Sequence, residues 1–224
     1  MKLSKGILVQ GTISDWTIDV IKTHQKNFPD AELLLSTWTS ENVKDIPCKV
    51  IQIEPPEMPK PIPMTVNHQK LGALAGLKKM KSDIIMKCRT DQFILNNKIF
   101  QIFEEKCSKN KIMIPNYTTV ESIDYLASDF CQIATKNVLI EFWESIPLYD
   151  GTTPFTHAEI YLTMNYILNA KKDLRSWPEC LKEYFYVKGF KEDFQIKWEK
   201  LEKIKEPYQR WYKECYPSCV QPEH

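Results

Sequence analysis

Residues 84–93 read IIMKCRTDQF. The apolar run Ile84-Ile85-Met86 passes straight into Arg89 and Asp91, so a strand leaves the core on a pair of opposite charges. A surface ion pair at a strand end accounts for this in one way. A site accounts for it in another, with Asp91 holding a metal ion and Arg89 steadying the charges around it. The kind of sheet this strand joins bears on the choice.

Three further runs resemble it: Ile7-Leu8-Val9, Leu33-Leu34-Leu35 and Lys49-Val50-Ile51-Gln52-Ile53. Each is short, bounded, and followed by polar residues, which suits strands buried on both faces of a parallel sheet. Helical patterns separate them. Trp16, Val20, Ile21 and Phe28 share one side of a helix that Ser14 or Asp15 would cap and Pro29 would stop. Val66, Leu71, Leu74 and Leu77 form the stripe of a helix over 65–81. It follows a proline-rich loop, Glu54 to Met64, that can be neither helix nor central strand. Further on, helices are expected at 97–107, 137–143 and 157–168, and strands at 111–115 and 122–129. From residue 171 the chain turns rich in aromatics and lysine, with Trp177, Tyr184, Trp198, Trp211 and Tyr212 among them. This reads as a helical extension, 171–224, packed through aromatic anchors on a domain of residues 1–170.

Alternating strands and helices argue for an α/β fold with an open, mostly parallel sheet flanked by helices. In such sheets ligands bind beyond the carboxyl ends of the strands. Those ends are Gln10-Gly11-Thr12, Ser36-Thr37-Trp38 and Arg89-Thr90-Asp91, all polar or small.

Composition narrows the classes. The chain has 224 residues, 43% of them hydrophobic and 26% charged, with a net charge of +1. That suits a globular domain and argues against a broad nucleic-acid surface. Seven cysteines are scattered along it, as expected of reduced thiols. The closing Cys215-Tyr-Pro-Ser-Cys219 has only His224 nearby, too few ligands for zinc. No run is long enough to span a membrane and no signal peptide is evident, so the expected compartment is the cytoplasm. Lysines near the C-terminus leave peripheral contact with anionic lipid open. G-x-G-x-x-G, G-x-x-x-x-G-K-[ST] and G-x-S-x-G are all absent. His24 and His68 read as surface positions.

The ordered series I7-L-V-Q-G-T12, F28-P-D-A-E-L-L-L-S-T-W38, N67-H-Q69 and M86-K-C-R-T-D91 resembles the WavE-type lipopolysaccharide synthesis family. S128-D-F130 and E159-I-Y-L162 continue the match. The resemblance implies a GT-A-like glycosyltransferase that takes a nucleotide-sugar donor and a glycan or lipid-linked acceptor. Gln10, Gly11, Thr12, Ser36 and Thr37 would then lie by the nucleotide, with Asn67 and Gln69 facing the donor sugar or diphosphate. Arg89 and Asp91 fall where such enzymes carry an acid-x-acid motif for Mn²⁺ or Mg²⁺. Arg89 replaces the first acid and would itself meet the diphosphate. Asp129 is the expected base for the acceptor hydroxyl, Glu159 its rival, and His157 a further metal or phosphate ligand. Two other classes stay open: a nucleotidyltransferase making the activated sugar, and a nucleotide-sugar-binding module without catalysis. For Asp129 a turn or helix-cap role also stays open.

Overall fold

The computed structural model describes residues 3–154, 157–203 and 218–222. Its four apolar runs are β1 (Lys5–Gln10), β2 (Glu32–Trp38), β3 (Lys49–Ile53) and β4 (Ile84–Arg89). They pair in parallel in the order β3-β2-β1-β4, with Gln10 in register beside Arg89. The helices between them are α1 (Thr17–Asn27) and α2 (Val66–Lys79). Beyond β4 come β5 (Gln92–Ile94), α3 (Ile99–Lys106), β6 (Ile112–Pro115), β7 (Gln132–Thr135) and α4 (Lys136–Ser145). Then follow α5 (Ala158–Asn165), which runs on as a π-helical turn over Tyr166–Lys171, and α6 (Trp177–Tyr184). Last are β8 (Phe185–Lys188), β9 (Ile196–Trp198) and α7 (Glu199–Lys203).

The main sheet has seven strands in the order β3-β2-β1-β4-β7-β6-β8, and β5 pairs with β9 in a separate ribbon. Strand β7 runs antiparallel to both neighbours, while β6 and β8 are parallel. This is the open, mostly parallel, helix-flanked sheet that the alternation of strands and helices predicts. Because side chains alternate along a strand, the sheet divides two cores. Leu8, Leu34 and Ile85 pack with α2, α4 and α5 on one face. Ile7, Val9, Leu35 and Met86 pack with α1 and α3 on the other. Each buried leucine or isoleucine contributes about 1.5–3 kcal/mol.

Three local expectations are corrected. Residues 122–129 are a turn, not a strand: the Val120 N–H donates to the Leu126 carbonyl, and Tyr125 has φ 61°. A left-handed backbone at a tyrosine cannot be fitted into a strand. The C-terminal region starts with α6 as expected, but then supplies β8 to the main sheet and β9 to the ribbon. Trp177 and Trp198 are buried anchors there, whereas Trp211 and Tyr212 lie outside the described residues. Neither Ser14 nor Asp15 caps α1; Trp16 holds the cap position without a side-chain bond.

His24 is not a surface residue. It is fully buried on α1, its Nε2 accepts from the Ile94 N–H at 3.3 Å, and burial pushes its pKa down to about 4.

Candidate active site

A cleft opens beyond the carboxyl ends of β1 and β4. Its first lobe encloses about 370 Å³ and is lined by Gln10, Gly11, Thr12, Arg89 and Asp91, with His68 and Gln69 from α2 opposite. A second lobe of about 420 Å³ is lined by Thr118, Phe130, His157, Glu159 and Trp198. Thr65, Gln69, Arg89, Asp129 and Lys200 border both, so the lobes are one cleft with a waist.

Backbone geometry explains the first wall. Gly11 has φ 135°, a conformation L side chains rarely adopt, and its N–H donates to the Ser36 carbonyl at 3.1 Å. Thr90 Oγ1 donates to the Thr12 carbonyl at 2.6 Å, fixing the two strand ends against each other. Gly72 on α2 lets Gln10 lie flat, since a Cβ there would come within 2.6 Å of Gln10 Nε2.

The charged centre is the Arg89–Asp91 pair. Arg89 Nε donates to Asp91 Oδ1 at 2.9 Å and Nη2 to Oδ2 at 3.1 Å. Trp198 Nε1 adds a third donor to Oδ2 at 3.0 Å. Burial alone would raise the Asp91 carboxyl, but the Arg89 guanidinium and the Trp198 indole hold it below its ordinary range. The guanidinium also lies against two rings, 5.9 Å from Phe130 and 5.6 Å from Trp198. Both readings of the strand exit are thus partly met: the ion pair exists, but it borders a cleft and not open water.

Behind it lies a residue that the sequence reading passed over. Lys87 is 1% exposed, yet it lines the first lobe. Its Nζ donates to the Asp129 backbone carbonyl at 3.1 Å and sits 4.8 Å from the centre of the Trp143 ring. Burial lowers its pKa, opposed by the Asp129 charge. The signal was available. Lys87 and Arg89 occupy alternate positions, so a strand otherwise buried sends two basic residues to one side, with Asp91 in the turn just beyond it.

Across the waist, burial and then the neighbouring Asp129 charge push Glu159 up to about 8. Its side chain opens on the cleft but is crowded by protein, so at neutral pH Glu159 holds its proton. His157 lies in the same lobe, with its pKa lowered by burial.

Several expected residues do not reach the cleft wall. Asn67 faces inward, donating to the Tyr149 carbonyl at 2.9 Å and accepting from the Tyr149 N–H at 2.7 Å. It tethers α2 to the chain after α4, with both ends of its amide engaged. Ser36 Oγ donates to the Gly72 carbonyl at 2.7 Å, so it ties α2 to β2. Thr37 is fully buried and its hydroxyl has no partner. His68, expected at the surface, instead lines the first lobe and meets Trp38 edge to face at 5.2 Å. Its Nδ1, Gln69 Oε1 and Thr118 Oγ1 are buried without partners around the cleft. Such atoms call for a ligand or ordered water.

The expected metal ligands are not brought together. Asp91 lines only the first lobe and His157 only the second. Among the described residues no group of three or more His, Cys, Asp or Glu side chains could hold a metal ion. Asp91 already accepts three hydrogen bonds, of the roughly four that a carboxylate offers. This arrangement does not fit a divalent cation held at Asp91.

The profile of the family described as WavE lipopolysaccharide synthesis matches residues 3–173. No curated protein matches the chain. Among solved structures it is similar to 4-diphosphocytidyl-2C-methyl-D-erythritol synthase from Anaerococcus prevotii, at 11% identity and TM-score 0.45. That match covers 72% of this chain and 84% of the other. It is similar to S. aureus TarS at 13% identity and TM-score 0.47, over 75% of this chain and 56% of that one. Glucosyl-3-phosphoglycerate synthase from M. tuberculosis, solved with Mn²⁺, UDP-glucose and glycerol 3-phosphate, is similar at 10% identity and TM-score 0.48. The coverage is 75% of this chain and 66% of that one. Among the described residues no helix is long and apolar enough to cross a membrane.

Proposed function

This chain belongs to the WavE lipopolysaccharide synthesis family, and we propose that it is a glycosyltransferase. It moves a sugar from a nucleotide-sugar to a glycan or lipid-linked acceptor in surface polysaccharide synthesis. The observation that carries this reading is the two-lobed cleft, with cations in the first lobe and a carboxyl pair at the waist and second lobe.

The first lobe suits the donor. Gln10, Gly11 and Thr12 offer backbone and amide contacts to a nucleotide, Gln69 faces them, and Arg89 meets the diphosphate. The acceptor enters by the second lobe, which meets the first at Asp129. There the acceptor hydroxyl oxygen attacks the sugar's anomeric carbon. The bond from that carbon to the diphosphate oxygen breaks, and its electron pair leaves with the diphosphate. Asp129 takes the hydroxyl proton, while Glu159, already protonated, donates a hydrogen bond instead of accepting a proton. Glu159 is therefore the weaker candidate for the base.

A divalent ion would supply Lewis-acid stabilisation of the leaving diphosphate, but the donor set at Asp91 does not fit one. The test is a panel of nucleotide-sugars incubated with the protein and glycan acceptors. Release of free nucleoside diphosphate supports the transferase. Pyrophosphate formed from a nucleoside triphosphate and a sugar phosphate supports a nucleotidyltransferase instead. Binding without turnover supports a non-catalytic module.

A further inference from the structure

We propose that the cleft binds the donor's diphosphate without a divalent ion, through the side-chain cations Lys87 and Arg89. The inference rests on the glycosyltransferase reading and narrows it.

Lys87 carries the argument furthest. An ammonium has three N–H donors, and the one hydrogen bond seen for Lys87 goes to the Asp129 carbonyl at 3.1 Å. A lysine buried to 1% exposure with unused donors is a costly thing to fold. Its place in the lining of the first lobe explains it, because an anion entering there would satisfy those donors. Trp143, 4.8 Å below the ammonium, holds it in position on the cleft floor.

Arg89 stands two residues along the same strand. A guanidinium carries five N–H donors, and Asp91 takes one from Nε and one from Nη2. The rest remain at the waist, where Arg89 borders both lobes. Asp91 and the flanking rings of Phe130 and Trp198 fix the fork's direction before any ligand arrives. Binding then loses little side-chain entropy. The same contacts that aim Arg89 fill most of the acceptor positions of Asp91. A metal ion placed at Asp91 would also be repelled by the guanidinium beside it. Lys200, which borders both lobes, adds a third positive charge nearby.

The test is calorimetric titration of UDP, GDP, CDP and ADP into the full chain, in EDTA and then in Mn²⁺. One nucleotide is expected to bind in EDTA with a Kd that Mn²⁺ leaves unchanged. Lys87→Met and Arg89→Met should each weaken that binding by roughly ten- to a hundredfold, the loss of a charge-assisted hydrogen bond. Binding that appears only with Mn²⁺ overturns the inference and leaves the transferase reading standing. Binding of none of the four in either buffer overturns both. A folded Lys87→Met variant with wild-type affinity in EDTA overturns the role of Lys87, and the EDTA comparison itself needs no variant.

Discussion

Trp198 donates its indole N–H to Asp91 Oδ2 at 3.0 Å, across 107 residues of chain. The β5–β9 ribbon brings them together, with Gln92 in register opposite Trp198. A strand near the C-terminal end of the described chain therefore helps hold the charge at the cleft's centre. Trp198→Phe keeps a ring beside Phe130 but removes the donor. The expected loss is about 2 kcal/mol, the scale of a hydrogen bond to a charged group. It is read as a lower urea midpoint at unchanged slope. An unchanged midpoint would mean that Arg89 alone suffices to hold the carboxylate.

His24 makes stability depend on acid. Its folded pKa is about 4 against an ordinary 6.5, because burial disfavours the charged ring. Between those values the unfolded chain binds the proton and the folded chain does not. Its contribution is therefore complete above pH 6.5 and is lost as pH falls toward 4. His24→Gln removes this dependence, so the stability gap between wild type and variant should move in the wild type's favour from pH 4 to 6.5. Parallel curves across that range would rule the account out.

Two glycines of α2 face the sheet and should respond differently to alanine. A Cβ on Gly76 would lie 2.3 Å from Leu8 Cδ1, deep between helix and sheet. Gly76→Ala should cost about 1–3 kcal/mol, as overpacking does. A Cβ on Gly72 would meet the end of Gln10, 2.6 Å from Nε2. That side chain can swing into the cleft, and alanine favours the helix by roughly 1 kcal/mol. Gly72→Ala should stay near wild-type stability while weakening nucleotide binding. Thermal melting beside nucleotide titration separates the two. Equal destabilisation of both variants would show that Gln10 cannot move.

How far this was legible in the sequence differs by element. The parallel strands β1, β2 and β4 could be read because both faces are buried, which leaves continuous apolar runs bounded by polar ends. Strand β3, half-exposed at the sheet edge, showed only through Val50, Ile51 and Ile53. The β8 and β9 strands could not, since FYVK and IKW are short and sit among helix-forming lysines and glutamates. Their pairing is set by β6 and β5, far away in sequence. In the cleft, Gln10, Arg89 and Asp91 follow from the strand ends, whereas Asp129 came only from the family resemblance, since the turn that carries it reads as a strand. Asn67 was misread because it precedes a residue that does line the cleft, and helical rotation turns neighbours about 100° apart. His68 and Gln69 reach the ligand side; Asn67 reaches Tyr149.

The carboxyl pair makes the last prediction. Glu159 is held protonated up to about pH 8 by burial and by Asp129, against its ordinary 4.5. From pH 4.5 to 8 the folded chain keeps a proton that the unfolded chain releases, so this group's effect on stability turns unfavourable as pH rises through that window. Glu159→Gln keeps the neutral, hydrogen-bonding form and should flatten that decline. It should leave turnover near wild type at neutral pH and remove any change in rate that centres near pH 8. Asp129→Asn is different, because the proposed base acts on the acceptor only as the transition state forms. Turnover should fall about a hundred- to ten-thousandfold, while donor affinity changes little. If Glu159→Gln is instead the inactive variant and Asp129→Asn retains turnover, the roles are exchanged. The rate of wild type would then rise with pH toward 8, as Glu159 loses its proton and becomes able to accept one.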